Sequence, residues 1–157
     1  MKKIKKGDVF VFKYNDRKFV VGQIIRKMEH HIVVIIFKDL IDKNKLNDIN
    51  IDKLTPILIA NTFESKLEKG DWVIVSNKSV KNKFEKSRYY KVGMNGRKTL
   101  LINEKNEIIR ELKKDEEDNY CYEKYVSPVR LEKAIRAFID KDAWKESYNC
   151  LLISKYY

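Results

Sequence analysis

The residue types that carry most enzyme chemistry are scarce in this chain. It holds two histidines, His30 and His31, and two cysteines, Cys121 and Cys150. In extended chain, neighbouring side chains point to opposite faces. His30 and His31 then cannot share a metal or work together as acid and base. A Cys–His nucleophile pair would need a cysteine carried to the distant histidines, and nothing local does that. The cysteines form no CxxC and are expected to be reduced. Glycines stand only at 7, 22, 70, 93 and 96, so no Gly-rich run can cradle a phosphate. The phosphate-loop, dinucleotide, HExxH and GxSxG patterns do not occur. The sequence predicts no catalytic residue, metal ligand or cofactor, and hence no enzyme.

Binding chemistry has more to work with. Between positions 76 and 98 stand Lys78, Lys81, Lys83, Lys86, Arg88, Lys91, Arg97 and Lys98, against Glu85 alone. Phe84, Tyr89 and Tyr90 interleave with them, and Trp72 precedes them. Cations of this kind attract phosphate or an acidic protein face. Exposed aromatic rings can stack bases or anchor a protein partner. Trp72 follows a turn at the start of a strand, so core packing is its expected role. Tyr89 and Tyr90 should point opposite ways, with at most one exposed. The candidate partner-binding residues are Lys83, Lys86, Arg88, Tyr89, Tyr90, Arg97 and Lys98.

Net charge is +11 over 157 residues. Residues 1–66 carry 14 basic and 8 acidic side chains, 67–114 carry 13 and 6, and 115–157 carry 7 and 9. The excess therefore lies in the first two-thirds. The plain alternative is a solvated lysine surface that reflects composition.

The elements that position these residues begin with a pattern stated twice. Lys6-Gly7-Asp8 leads into Val9-Phe10-Val11-Phe12, and Lys69-Gly70-Asp71 leads into Trp72-Val73-Ile74-Val75. In each, a turn runs into a β-branched and aromatic strand. This is either an internal duplication or a common way to start a strand. Strands are expected at 8–14, 18–27 and 32–37 as an antiparallel meander. Residues 38–54 keep no period and read as an irregular crossing. Pro56 opens a strand at 57–63, and 72–75 forms a short one. A long basic loop follows at 76–88. The Asn95-Gly96 pair predicts a hairpin between strands at 89–92 and 98–102. Residues 107–112 return as a strand, in preference to a helix over 104–114.

Tyr120, Tyr122 and Tyr125 are read as a cover over the sheet. Ser127-Pro128 caps and opens a helix, and Leu131, Ala134, Ile135, Phe138 and Ile139 line one face of it. A second helix, capped by Asp142, is expected at 143–148, and Leu151-Leu152-Ile153 as a closing strand or turn. The fold class is α+β and β-rich. It would be a mostly antiparallel twisted sheet or partly open barrel with one or two C-terminal helices. One domain is expected over 1–157, with two β sub-lobes at about 1–66 and 67–114 and a helical segment at 127–148. No apolar run approaches the roughly 18 residues of a membrane span. Lys-rich residues 2–6 lead into no apolar signal core, so a cytoplasmic protein without a membrane partner is expected.

Lys6-Gly7-Asp8-Val9-Phe10, followed by Phe19-Val20-Val21-Gly22-Gln23-Ile24-Ile25, resembles the opening of the immunity protein 26 family of bacterial polymorphic toxin systems. Pro56 to Phe63, then Gly70-Asp71-Trp72-Val73-Ile74, is similar to that family's next strands. The likeness covers about residues 5–75. It implies an α+β protein that binds and blocks a cognate toxin by surface complementarity. A basic inhibitor of this kind favours a toxin with an acidic face. The competing reading is a small nucleic-acid-binding β-barrel that uses residues 78–98.

Overall fold

The computed structural model describes residues 3–94 and 98–157. Strands β1 (Asp8–Lys13), β2 (Lys18–Lys27) and β3 (Ile32–Phe37) form the expected antiparallel meander. A two-residue strand, β4 (Ile41–Asp42), pairs with β2. The irregular crossing continues through short 3-10 turns at Lys43–Lys45 and Ile51–Lys53. Strand β5 (Pro56–Thr62) adds to β3, with Pro56 at its permissive first position. After a single helical turn, α1 (Ser65–Glu68), strand β6 (Val73–Asn77) pairs with β1. The order is β5-β3-β2-β1-β6, antiparallel throughout.

Both Lys-Gly-Asp turns thus feed neighbouring strands of one sheet, and Gly7 and Gly70 both adopt positive φ (91° and 82°). Their local roles differ. Asp8 is buried and accepts from Lys5 N and from Asn77 Nδ2, each at 2.9 Å. Gly70 ends α1, donating to Leu67 O, and Asp71 is exposed.

The sheet is covered on both faces, which explains its unbroken apolar runs. Val9 and Val11 face one side and Phe10 and Phe12 the other, as alternation requires. On the Phe side, Trp72 is 1% exposed and stacks on Phe10 at 4.8 Å and Phe12 at 5.4 Å. Its Nε1 donates to Glu132 Oε1 at 2.8 Å. Phe10 lies opposite Gly22 in the register, and its ring fills the place where a Cβ would sit, so no larger residue fits there. Helix α2 (Pro128–Asp140) seals this side with Leu131, Ala134 and Ile135, while Phe138 and Ile139 are half-buried. Ser127 Oγ accepts from Arg130 N at 3.1 Å, and Lys141 closes the helix in the left-handed region. On the Val side, Ile49, Ile51 and Phe84 close the core with the chain end at Ile153, Tyr156 and Tyr157.

A second, three-stranded antiparallel sheet comprises β7 (Tyr89–Met94), β8 (Lys98–Asn103) and β9 (Ile108–Glu111). Met94 pairs with Lys98, so the strands flank the predicted Asn95-Gly96 turn, which lies outside the described residues. The fold is therefore α+β, with antiparallel sheets that close no barrel.

Two expectations are corrected. Residues 143–148 form no second helix. Ala143 has a positive φ of 57°, which breaks helical continuation, and a 3-10 turn follows at Glu146–Leu151. Cys121 and Cys150 are not free thiols but a disulfide. Their separation of 29 residues hid this, because α2 runs out and the chain behind it returns to the same edge.

Candidate interaction surface

The expected partner-binding residues do not share one environment. Lys83 and Lys86 are exposed, with Lys83 Nζ 4.9 Å from the centre of the Phe84 ring. Tyr89 is 46% exposed, whereas Tyr90 is 2% exposed, so strand alternation separates them. Lys98 is exposed, 3.7 Å from Glu111. It sits opposite Met94, five residues along the strand from Tyr89, or roughly 17 Å. Arg97 lies outside the described residues. Arg88 is 3% exposed and belongs to the interior.

Arg88 is the centre of a polar seam between the sheets. Its Nε donates to Glu104 Oε1 at 2.6 Å and its Nη2 to Asn61 Oδ1 at 2.6 Å. Arg26, from β2, donates to the same Glu104 oxygen at 2.5 Å. The Arg88 guanidinium lies 5.3 Å from the centres of both the Tyr90 and Tyr156 rings. Burial pushes the Tyr90 hydroxyl well above its ordinary pKa, and Tyr156 rises for the same reason. Glutamate, asparagine and tyrosine from four chain regions thus fix one arginine. Such a residue holds sheets together and cannot meet a partner.

Residues 121–126 form a strap across this seam. Lys91 N donates to Cys121 O at 2.9 Å, and Lys91 bridges to Tyr122, which ties the strap to β7. Val126 N donates to Asn61 O at 2.9 Å, and Thr62 Oγ1 donates to Val126 O at 2.7 Å, which ties it to β5. The disulfide pins its start to the turn at Glu146–Leu151.

Of the tyrosines read as a cover, Tyr120 is half-buried and precedes the strap, whereas Tyr122 and Tyr125 lie on it and are exposed. Tyr122 is 53% and Tyr125 47% exposed. Alternation along the strap puts Tyr122 with Lys124 and Val126 on one side and Tyr125 on the other, and each ring reaches solvent from its own side. Phe63 stacks on Tyr125 at 6.2 Å, and the His31 ring meets Tyr125 edge-on at 4.9 Å. Met28, His31, Phe63 and Tyr125 outline a shallow apolar hollow of about 450 Å³. Burial, and then the Arg88 charge, hold His31 below its ordinary pKa, so the ring enters this hollow as a neutral group. On the other side of the strap, Lys91 Nζ lies 4.8 Å from the centre of the Tyr122 ring, and Tyr89 shares the Lys91 side of β7.

The result is two exposed aromatic groups at the sheet junction, Phe63 and Tyr125 on one side of the strap and Tyr122 on the other, on backbone hydrogen-bonded to both sheets. Exposed aromatic groupings of this kind mark docking sites more often than isolated side chains do. The only trace of it in the sequence is the Tyr120, Tyr122, Tyr125 spacing. That trace could not say which face was outward.

The fold is one of two antiparallel sheets with exposed aromatic side chains at their junction. The Immunity protein 26 family model matches residues 5–99. The chain belongs to the Immunity protein 26 family. The match continues through β7 to the start of β8, beyond position 75, where the motif likeness ends. No curated protein and no solved structure matches the chain.

Proposed function

We propose that this protein binds and neutralises a cognate bacterial toxin by surface complementarity, without a chemical step, in the cytoplasm of the producing cell. The observation that carries this reading is the exposed Phe63–Tyr125 stack, with Tyr122 also exposed on the other side of the strap. Tyrosine and its aromatic neighbours supply large, rigid contact area, the usual content of binding hot spots. Tyr89, exposed beside Lys91, extends that surface towards the candidate lysines. Lys83 and Lys86, also exposed, favour a toxin with an acidic face and would speed its capture.

The test is co-expression with the toxin encoded beside this protein. The native chain should rescue growth. Tyr122→Ser with Tyr125→Ser should abolish rescue while leaving the melting temperature nearly unchanged, because both rings are half-exposed. Full rescue by the double variant would remove the strap from the interface.

A further inference from the structure

A cavity of about 40 Å³ lies beneath the strap. A single water needs roughly 10–15 Å³, so the space suits a few waters or one small polyatomic ion. Its lining is one-sided in charge. Arg88, Lys124 and Arg130 contribute to it, and no carboxylate does among the described residues.

The buried charges behind it do not balance. Arg26 and Arg88 share the one carboxylate of Glu104, and the Arg88 side chain is 2% exposed. An excess buried positive charge is costly unless something pairs with it. Glu123 feels the Arg88 charge, but it bonds the Tyr125 hydroxyl and does not line the cavity. Arg130 is steadied by Ser147, whose Oγ accepts from Nη2 at 2.7 Å.

The Tyr90 hydroxyl gives an independent indication. Tyr90 lines the cavity and is 2% exposed, and its hydroxyl has no hydrogen-bond partner among the described residues. A buried donor without an acceptor is uncommon, because its desolvation goes uncompensated. A donor and three cations around one small, partly open space have the same complement, a compact acceptor of negative charge.

We propose that this cavity binds one small oxyanion of the phosphate or sulfate class. Arg88, Arg130 and Lys124 supply the positive charge and the Tyr90 hydroxyl donates a hydrogen bond. Tyr122 and Lys124, both exposed, stand at its outer rim. The proposal does not rest on the toxin-binding reading, although Tyr122 borders both sites, and it is tested on the isolated chain.

The experiment compares melting temperatures in inorganic phosphate and in chloride at matched ionic strength. Phosphate at about tenfold excess over its Kd should raise Tm by roughly 3–6 °C. Tyr90→Phe keeps the ring and removes only the orphan hydroxyl. In chloride it should melt at or above the native temperature, and it should lose most of the phosphate increment. Arg130→Gln should lose the increment as well. Equal Tm in phosphate and chloride for the native chain would overturn the proposal. So would an increment that survives Tyr90→Phe unchanged, since Tyr90→Phe is expected to fold whatever Arg130→Gln does.

Discussion

One carboxylate, Glu104, holds two guanidiniums at the seam between the sheets. The arrangement is not a source of surplus stability, since ion pairs recover little beyond their desolvation cost. Breaking it is a different matter. Glu104→Gln keeps the shape but leaves Arg26 and Arg88 facing each other with no counter-charge. It should destabilise the protein by about 3–5 kcal/mol, read as a shift in urea midpoint at constant slope. The lysine-rich neighbourhood of Arg88 points it to the surface. No local pattern announces that a charged residue will be buried by partners at positions 61, 104 and 156.

At the scale of elements, the strap decides which side chains are displayed where the two sheets meet. Its hydrogen bonds to β5 and β7 make it a shared edge of both sheets. The disulfide closes a loop that contains all of α2. Loop-closure entropy assigns a bridge across 29 residues about 3.6 kcal/mol. Reduction should therefore lower Tm measurably, compared in melts with and without reductant. The fold should survive, because the Val126–Asn61 and Thr62–Val126 bonds do not depend on sulfur. This also bears on the proposed cytoplasmic setting, since cytoplasmic thiols are kept reduced. A chain that unfolded on reduction would be unsuited to act there. The helix was legible in advance because its cap, its proline and its apolar stripe are all local. The strap was not, because an extended segment acquires inner and outer faces only from what lies beneath it.

At the scale of the whole molecule, the charge of +11 is divided among structural roles. Arg88 is spent in the interior, Lys98 faces Glu111, and Lys83 and Lys86 remain in solvent. A phosphate-tracking groove needs its cations aligned. The spread of these residues argues for diffuse attraction instead. Binding to random duplex DNA or to RNA should be weak at low salt and vanish at moderate salt. Filter binding across a salt series checks this. A charge reversal at Lys83, Lys86 and Lys98 serves as the control, and Arg88 is unsuitable because reversing it would disrupt the seam. Tight binding that persists in moderate salt and is lost in the triple variant would favour the nucleic-acid reading over the inhibitor.

By itself the sequence determined the strands of the meander, the β7–β8 hairpin and the capped helix, because each depends on period, turn chemistry or capping within a few residues. It also determined that Trp72 is core and that Tyr89 and Tyr90 part company, since alternation is a property of any strand. Only the tertiary structure decided that β6 joins β1, that the cysteines meet, that Arg88 and Tyr90 are enclosed and that Tyr122 and Tyr125 are displayed. Each of these is a pairing between segments far apart in the chain. Burial there is set by which surfaces the packed sheets bring together, and no local pattern carries that information.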